Sequence, residues 1–341
     1  MATYTLYRLR PRGPFHLAER GVGIEETGEL VRSDTLFSAL CSVLRLGWGE
    51  AELERFLRPF LAGEPPLRLS SCFPFASDVL FLPRPLLPLP AEPPPDVGKR
   101  LRQTRFVSLG LFHRWLAGAP LDSAFAADCF LAGIGAWASP EEIRRLPRSV
   151  RNGAPALWRR DTVPRVAIDR ATAASQVYRA GRLAFAPGCG LAFLVDWRDQ
   201  QWRARFEQAL RLLGDSGLGG LRSTGHGQFA LAPPESLEIT GPAGAPVAVT
   251  LSLYAPTEAE LHRGALGPRA RYELVNRGGW IASPDGSSYR RREVRMLTEG
   301  SVVELAAAPS GRLVDVTPDI LQAHRVYRYG LAFLLLAALP L

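Results

Sequence analysis

From Tyr4 to Arg10 polar and apolar residues broadly alternate, the pattern of an edge-like or half-buried first β-strand. A different rhythm follows. Leu36, Phe37, Leu40, Val43 and Leu44 fall on one face of a helix, with Ser33 or Asp34 as its N-cap. Leu67 to Phe75 is a candidate second strand. Val163–Arg170 and Val177–Phe185 have the pattern of two hairpin arms joined by residues 171–176, and Leu191–Asp196 is a short, strongly apolar strand. Helical spacing returns at Trp202, Phe206, Ala209, Leu210 and Leu213 and is ended by Gly214 and Gly217. Alternation then resumes from Gly225 to Ala232 and stops at Pro233-Pro234. With the intervening segments set aside, the order is βαββαβ, that of a ferredoxin-like unit.

The intervening segments are less periodic. Residues 83–95 are dense in proline and predict a surface linker. Lys99–Ser108 and Leu109–Leu116 form a basic, partly helical insertion, and the arginine-rich stretch from Arg144 to Arg160 is expected to run over the surface. After Pro242, strands are predicted at 247–254, 280–282, 294–297 and 301–305, with a short helix at 258–266. The chain closes on an apolar run from Arg325 to Leu336. This second unit has the pattern of a degraded copy of the first. The expected fold is α+β with a boundary near residue 240: an N-terminal domain over 1–240, carrying insertions at about 81–160 and a hairpin at about 161–187, and a C-terminal domain over 241–341.

The segment Gly217–Phe229 is chemically the most unusual. Five glycines lie between 217 and 227, together with Arg222, Ser223, Thr224 and His226. Glycine is costly to order, so such clustering implies close backbone approach to a partner or tight turns. Backbone N–H groups beside a guanidinium and hydroxyls suit a phosphate chain. The loop follows a helix and precedes a strand, the reverse of nucleotide-binding glycine loops, and neither a P-loop nor a strand-led GxGxxG is present. An NTPase or dinucleotide site is thereby disfavoured, whereas an extended nucleic-acid backbone remains compatible.

Composition adds an anionic partner as a plausible ligand. The 341 residues carry a formal net charge of +8, and Lys99 is the only lysine among 41 basic residues. Arginine suits bidentate phosphate contact, although a GC-rich genome produces the same bias. Cys41, Cys72, Cys129 and Cys189 are widely spaced without a CxxC pair, which argues against zinc and disulfides and fits a reducing cytoplasm. The N-terminus lacks a signal-peptide pattern, and Leu331–Leu341 is too short to span a bilayer. The five histidines show no metal-binding spacing, and no nucleophile elbow is present. No cofactor or metal is expected.

Five landmarks together resemble a known family: His16 with its glycine-rich sequel, Arg32-Ser-Asp-Thr-Leu-Phe-Ser-Ala-Leu40, the Ile168-Asp-Arg-x-Thr172 hairpin, Gly217–Phe229 and Val326-Tyr-Arg-Tyr-Gly330. The family is the RAMP-superfamily subunit that caps the 5′ handle of the guide RNA in type III-A CRISPR (Csm) interference complexes. The resemblance covers essentially the whole chain. It implies two ferredoxin-like (RRM-like) domains with a β-hairpin thumb, and RNA binding rather than catalysis. The implied partners are the crRNA 5′ handle, target RNA near the guide boundary where the thumb displaces a base, the large polymerase-like subunit and the backbone subunit, with no membrane. Carried over, the thumb tip comprises Arg165, Ile168, Asp169, Arg170 and Thr172. The handle groove comprises His16, Arg32, Ser33, Asp34 and the loop residues Gly217, Gly219, Gly220, Arg222, Ser223, Thr224, Gly225, His226 and Gly227. For Asp34, whose charge repels phosphate, helix capping is the expected role.

Two alternatives belong to the same superfamily. One is the type III-B counterpart. The other is the CRISPR repeat-cleaving endoribonuclease, in which His16 would act as general base for 2′-OH attack with Arg12 or Arg32 steadying the developing charge.

Overall fold

The computed structural model describes residues 2–17, 24–89, 95–121, 129–151, 157–281 and 289–339. Its central sheet is laid down by the alternation seen at the N-terminus. The strand Ala2–Pro11 pairs antiparallel with Cys189–Trp197, placing Leu6 opposite Leu194. On its other side it pairs with Phe229–Leu231 and Glu235–Ile239. Beyond Cys189–Trp197 come Phe73–Ala76 and Leu67–Leu69, also antiparallel. The order across the sheet is therefore 229–231, 2–11, 189–197, 73–76. Cys189–Val195 is buried at every position, which is why that strand reads as an unbroken apolar run.

Two helices cover this sheet. Ser33–Trp48 buries Leu36, Phe37, Leu40, Val43 and Leu44, and Arg203–Ser216 buries Phe206, Ala209, Leu210 and Leu213. They pack on each other, and Phe206 meets the sheet through Phe193 and Tyr7. Each fully buried Leu or Phe of these stripes contributes about 1.5–3 kcal/mol, which makes them the main anchor of the helices. A further helix, Glu50–Leu61, was not evident in the pattern. It contributes Phe56 and Phe60, which pack around Phe37.

The segment expected as a surface insertion is instead part of the sheet. Val79–Pro83, Phe106–Ser108, Ala136–Trp137 and Phe130–Leu131 continue it in that order, with a parallel step between 106–108 and 136–137. Leu87 is buried, and Leu86 N donates to Gly300 O at 2.9 Å, so the proline-dense segment packs onto the chain up to residue 89. Its residues 90–94 lie outside the described residues. Arg144–Arg160 is likewise pinned down by Leu146, Val150, Leu157 and Trp158, all buried, with 152–156 outside the described residues. Abundant Arg and Pro concealed the sparse apolar anchors.

In the C-terminal part, Val247–Thr250 lies between Val302–Glu304 and Leu334–Ala337. Two hairpin-like pairs accompany it, Leu274–Arg277 with Val294–Leu297 and Gly311–Asp315 with Tyr327–Leu331. The helix expected over 258–266 spans Glu258–His262. Val249, Val302, Tyr329, Phe333 and Leu335 belong to the same hydrophobic cluster as the N-terminal strands, so one core runs through both parts. No helix among the described residues is long and apolar enough to cross a membrane.

Candidate nucleic-acid interface

The short segment from Arg12 to Leu17 lies between two of the landmarks. On one side it pairs with the long hairpin: Phe15 and Leu183 exchange backbone hydrogen bonds of 2.8 Å, and His16 Nδ1 lies 2.8 Å from Gly181 O. On the other it pairs with the glycine loop. Gly220 N donates to His16 O and Gly227 N to Pro14 O, both at 2.8 Å, while Arg12 N donates to Gln228 O at 2.9 Å. His16 is 4% exposed, so its ring acts as a bracket between hairpin and loop rather than as a surface group.

The glycines serve this packing. Gly219 has φ +100°, and a Cβ there would stand 2.5 Å from His16 O. Gly227 has φ +79°, and its Cβ would stand 2.1 Å from Leu218 O. Such contacts leave no room for a side chain. The strand expected to begin at Gly225 starts only at Phe229, because Gly225 and Gly227 both take left-handed conformations. What the loop presents outward is a single turn, Arg222–Thr224, with Arg222, Ser223, Thr224 and Gly225 all exposed. Thr224 Oγ1 donates to Leu221 O at 2.9 Å and lies 3.2 Å from His226 Nδ1. His226 is buried. Its pKa is pushed down first by that burial and further by the positive charges of Arg165 and Arg182, so the ring is neutral at pH 7. It shapes the turn; Arg222 supplies the charge.

The hairpin is continuous from Trp158–Ile168 to Ser175–Phe185, with Ile168 opposite Ser175. At its tip the Asp169 carboxylate accepts from Ala171 N at 2.7 Å and Thr172 N at 2.9 Å, bonds that hold its pKa below the usual carboxylate range. Thr172 Oγ1 accepts from Ala174 N at 3.3 Å. Asp169 and Thr172 therefore build the turn, while Arg170 and the 68% exposed Ile168 are presented by it. Alternation along the arms separates two faces. Arg165 and its cross-strand partner Tyr178 share one face with Asp161 and Arg182, an ion pair; Val166, Ile168 and Val177 share the other. Arg165, Arg170, Arg179 and Arg222 make no ion pair among the described residues. The exposed Arg12–Asp215 pair at 2.8 Å borders the site and contributes at most ~1 kcal/mol.

Arg32, Ser33 and Asp34 are not part of this surface. Ser33 and Asp34 are fully buried. Arg32, not Ser33 or Asp34, occupies the N-cap, without a side-chain capping bond, and its guanidinium pairs with Glu299. Ser33 N donates to Ser71 Oγ at 2.8 Å, and Ser33 Oγ accepts from Leu253 N at 3.1 Å. Asp34 accepts two bonds from Arg277, at 2.9 and 3.0 Å, and another from Arg328. Burial alone would raise the Asp34 pKa; the Arg277 and Arg328 guanidiniums outweigh it and hold the carboxyl well below its usual range. The landmarks thus sort into two groups. His16, the hairpin and the glycine loop meet at one surface, while 32–34 and Val326–Gly330 meet in a buried clasp to the C-terminal part. Among the described residues no group of His, Cys, Asp and Glu could hold a metal ion.

Residues 244–336 match the family described as CRISPR Csm4 C-terminal domain. A Thermococcus onnurineus protein, CRISPR system Cms protein Csm4, is 29% identical over 352 aligned residues, covering 100% of this chain and 99% of its own. Over its whole length the chain is thus similar to Csm4 proteins. A Mycobacterium tuberculosis Csm4 is 27% identical, with 90% of both chains covered. Among solved structures, a chain of the Csm3-Csm4 subcomplex of the type III-A CRISPR-Cas interference complex has the same fold, at TM-score 0.65 and 17% identity over 98% of both chains. A chain of a Csm1-Csm4 cassette in complex with cA3 matches at TM-score 0.61 and 22% identity over 99% of both. The Csm4 domain match includes Arg277 and Arg328 but lies downstream of the hairpin and the glycine loop.

Proposed function

We propose that this chain is the non-catalytic crRNA-binding subunit of a type III-A effector complex, and that it grips the 5′ handle in the angle between the 158–185 hairpin and the glycine loop. One observation carries this reading. The 12–17 segment locks hairpin and loop together, and the surface so formed presents Arg165, Arg170 and Arg222 without carboxylate partners among the described residues. Single-stranded RNA is held by such guanidiniums, hydroxyls and N–H groups. The strand order 229–231, 2–11, 189–197, 73–76 with two covering helices supports a ferredoxin-like N-terminal domain. In this reading the hairpin is a thumb whose exposed Ile168 displaces a base at the guide–target boundary. The partners are a large polymerase-like Csm1 subunit and a Csm3 backbone subunit, in the cytoplasm. The full-length matches to Csm4 proteins support type III-A over type III-B.

Burial of His16, with Nδ1 tied to Gly181 O, supports binding over cleavage. The purified chain should leave repeat RNA intact without metal; cleavage that is lost in His16→Ala would reverse the assignment. The binding itself has a quantitative signature. Affinity for a handle-containing RNA should fall with salt at about 0.7 log units per neutralised phosphate, and Arg222→Ala should flatten that slope by about one contact. An unchanged slope would remove Arg222 from the interface.

A further inference from the structure

The C-terminal part contains a second hairpin. Leu274–Arg277 pairs with Val294–Leu297, and pairing resumes beyond Gly279, where Ile281 N donates to Tyr289 O and Arg291 N to Gly279 O, both at 2.9 Å. Arg277 faces Val294 but Trp280 faces Arg290, so one arm carries one extra residue, as in a β-bulge. Residues 282–288 lie outside the described residues.

Alternation gives this hairpin two faces. Val275 and Met296 turn inward, as does Arg277, which reaches Asp34. Leu274, Asn276 and, past the bulge, Trp280 turn outward, Leu274 50% and Trp280 51% exposed. Guanidiniums interleave with them. Arg295 Nε donates to Asn276 Oδ1 at 3.4 Å, and the Arg290 guanidinium sits 5.0 Å from the Trp280 ring centroid. Neither arginine has a carboxylate partner among the described residues. Against Arg290 and Arg295 this face sets the Glu293 carboxylate beside Gly278, which leaves a net positive charge.

We infer that this outer face is a second contact for single-stranded RNA, separate from the hairpin–glycine-loop surface; the choice of ligand rests on the RNA-binding reading above. The exposed Trp280 ring offers a stacking surface to a base, and the arginines beside it meet the flanking phosphates. Leu274 to Trp280 spans roughly 20 Å of strand, enough for a short run of nucleotides. The excess positive charge favours a polyanion over a neutral protein surface.

The test uses the full chain and a single-stranded RNA of handle plus guide, read by fluorescence anisotropy. Trp280→Ala should weaken binding about tenfold, and Trp280→Phe should restore most of it. The double variant Arg290→Ala/Arg295→Ala, at exposed positions that leave the fold intact, should reduce the salt dependence. Arg165→Ala/Arg222→Ala should weaken binding independently, so the combined losses multiply. If the Arg165/Arg222 variant weakens binding while the Trp280 and Arg290/Arg295 variants do not, this second contact is overturned and the first stands. If none does, RNA binding itself fails. Unchanged RNA affinity with weakened co-purification of other Csm subunits would assign the face to a protein and overturn the inference.

Discussion

Asp34→Ala should destabilise the chain by about 3–5 kcal/mol, because it leaves the buried Arg277 and Arg328 guanidiniums without their shared carboxylate. Both arginines are almost fully buried, with side chains 6% and 2% exposed, so water cannot replace the lost partner. Against a domain stability of 5–15 kcal/mol, such a loss is a large fraction of the total. By contrast, Arg12→Ala, which breaks the exposed pair with Asp215, should cost under about 1 kcal/mol. Urea unfolding of the three proteins measures both effects, and an Asp34→Ala loss below that of Arg12→Ala would contradict the clasp. The same group sets a pH dependence. Its folded pKa is depressed, so its contribution is complete above the unfolded carboxylate value of about 3.9 and is lost as pH falls below it. Asp34→Ala should therefore show a flatter decline of stability between about pH 5 and pH 2 than the parent chain.

Gly227→Ala should disrupt the glycine loop far more than Gly225→Ala. Both residues have left-handed backbones, at φ +79° and +80°, so any L side chain costs roughly 1–2 kcal/mol at either. Only Gly227 adds a collision, its Cβ standing 2.1 Å from Leu218 O, whereas the space around Gly225 is open. The collision forces the loop away from Pro14 and His16 and adds roughly 1–3 kcal/mol. Urea midpoints should rank parent, Gly225→Ala, Gly227→Ala in falling order. RNA affinity should follow the same order, because the loop positions Arg222. Equal effects of the two alanines would mean that Gly227 does not pack on Leu218 as described.

The elements that were legible in the sequence are those whose period was strong. Tyr4–Arg10, Leu36–Leu44, Leu191–Asp196 and the face from Phe206 to Leu213 bury the residues their spacing predicts. Segments whose apolar anchors are isolated among Arg and Pro are not legible by period: Phe106 and Val107, next to Lys99–Arg105, form a buried strand of the main sheet. The site was legible in its parts but not in its grouping. Ser33-Asp34 has the local signature of a helix cap, and nothing local reveals that Arg277 and Arg328, more than two hundred residues on, claim the carboxylate. The signal available was Arg328 itself, a charge within the apolar alternation of Val326–Leu331. Glycine clustering at 217–227 points to a ligand or to tight turns, and the backbone that approaches it includes Pro14 and His16 of the chain itself.

The central claim is that RNA lies between the hairpin and the exposed turn of the glycine loop. The most direct measurement is photo-crosslinking of the assembled Csm complex carrying a guide with a photoreactive 5′ handle, followed by mass spectrometry of the attached peptides. Handle crosslinks on this chain should map to 163–182 and 217–229, and Arg165→Ala/Arg222→Ala should weaken them. Handle crosslinks confined to other parts of the chain, or to other subunits alone, would contradict the account.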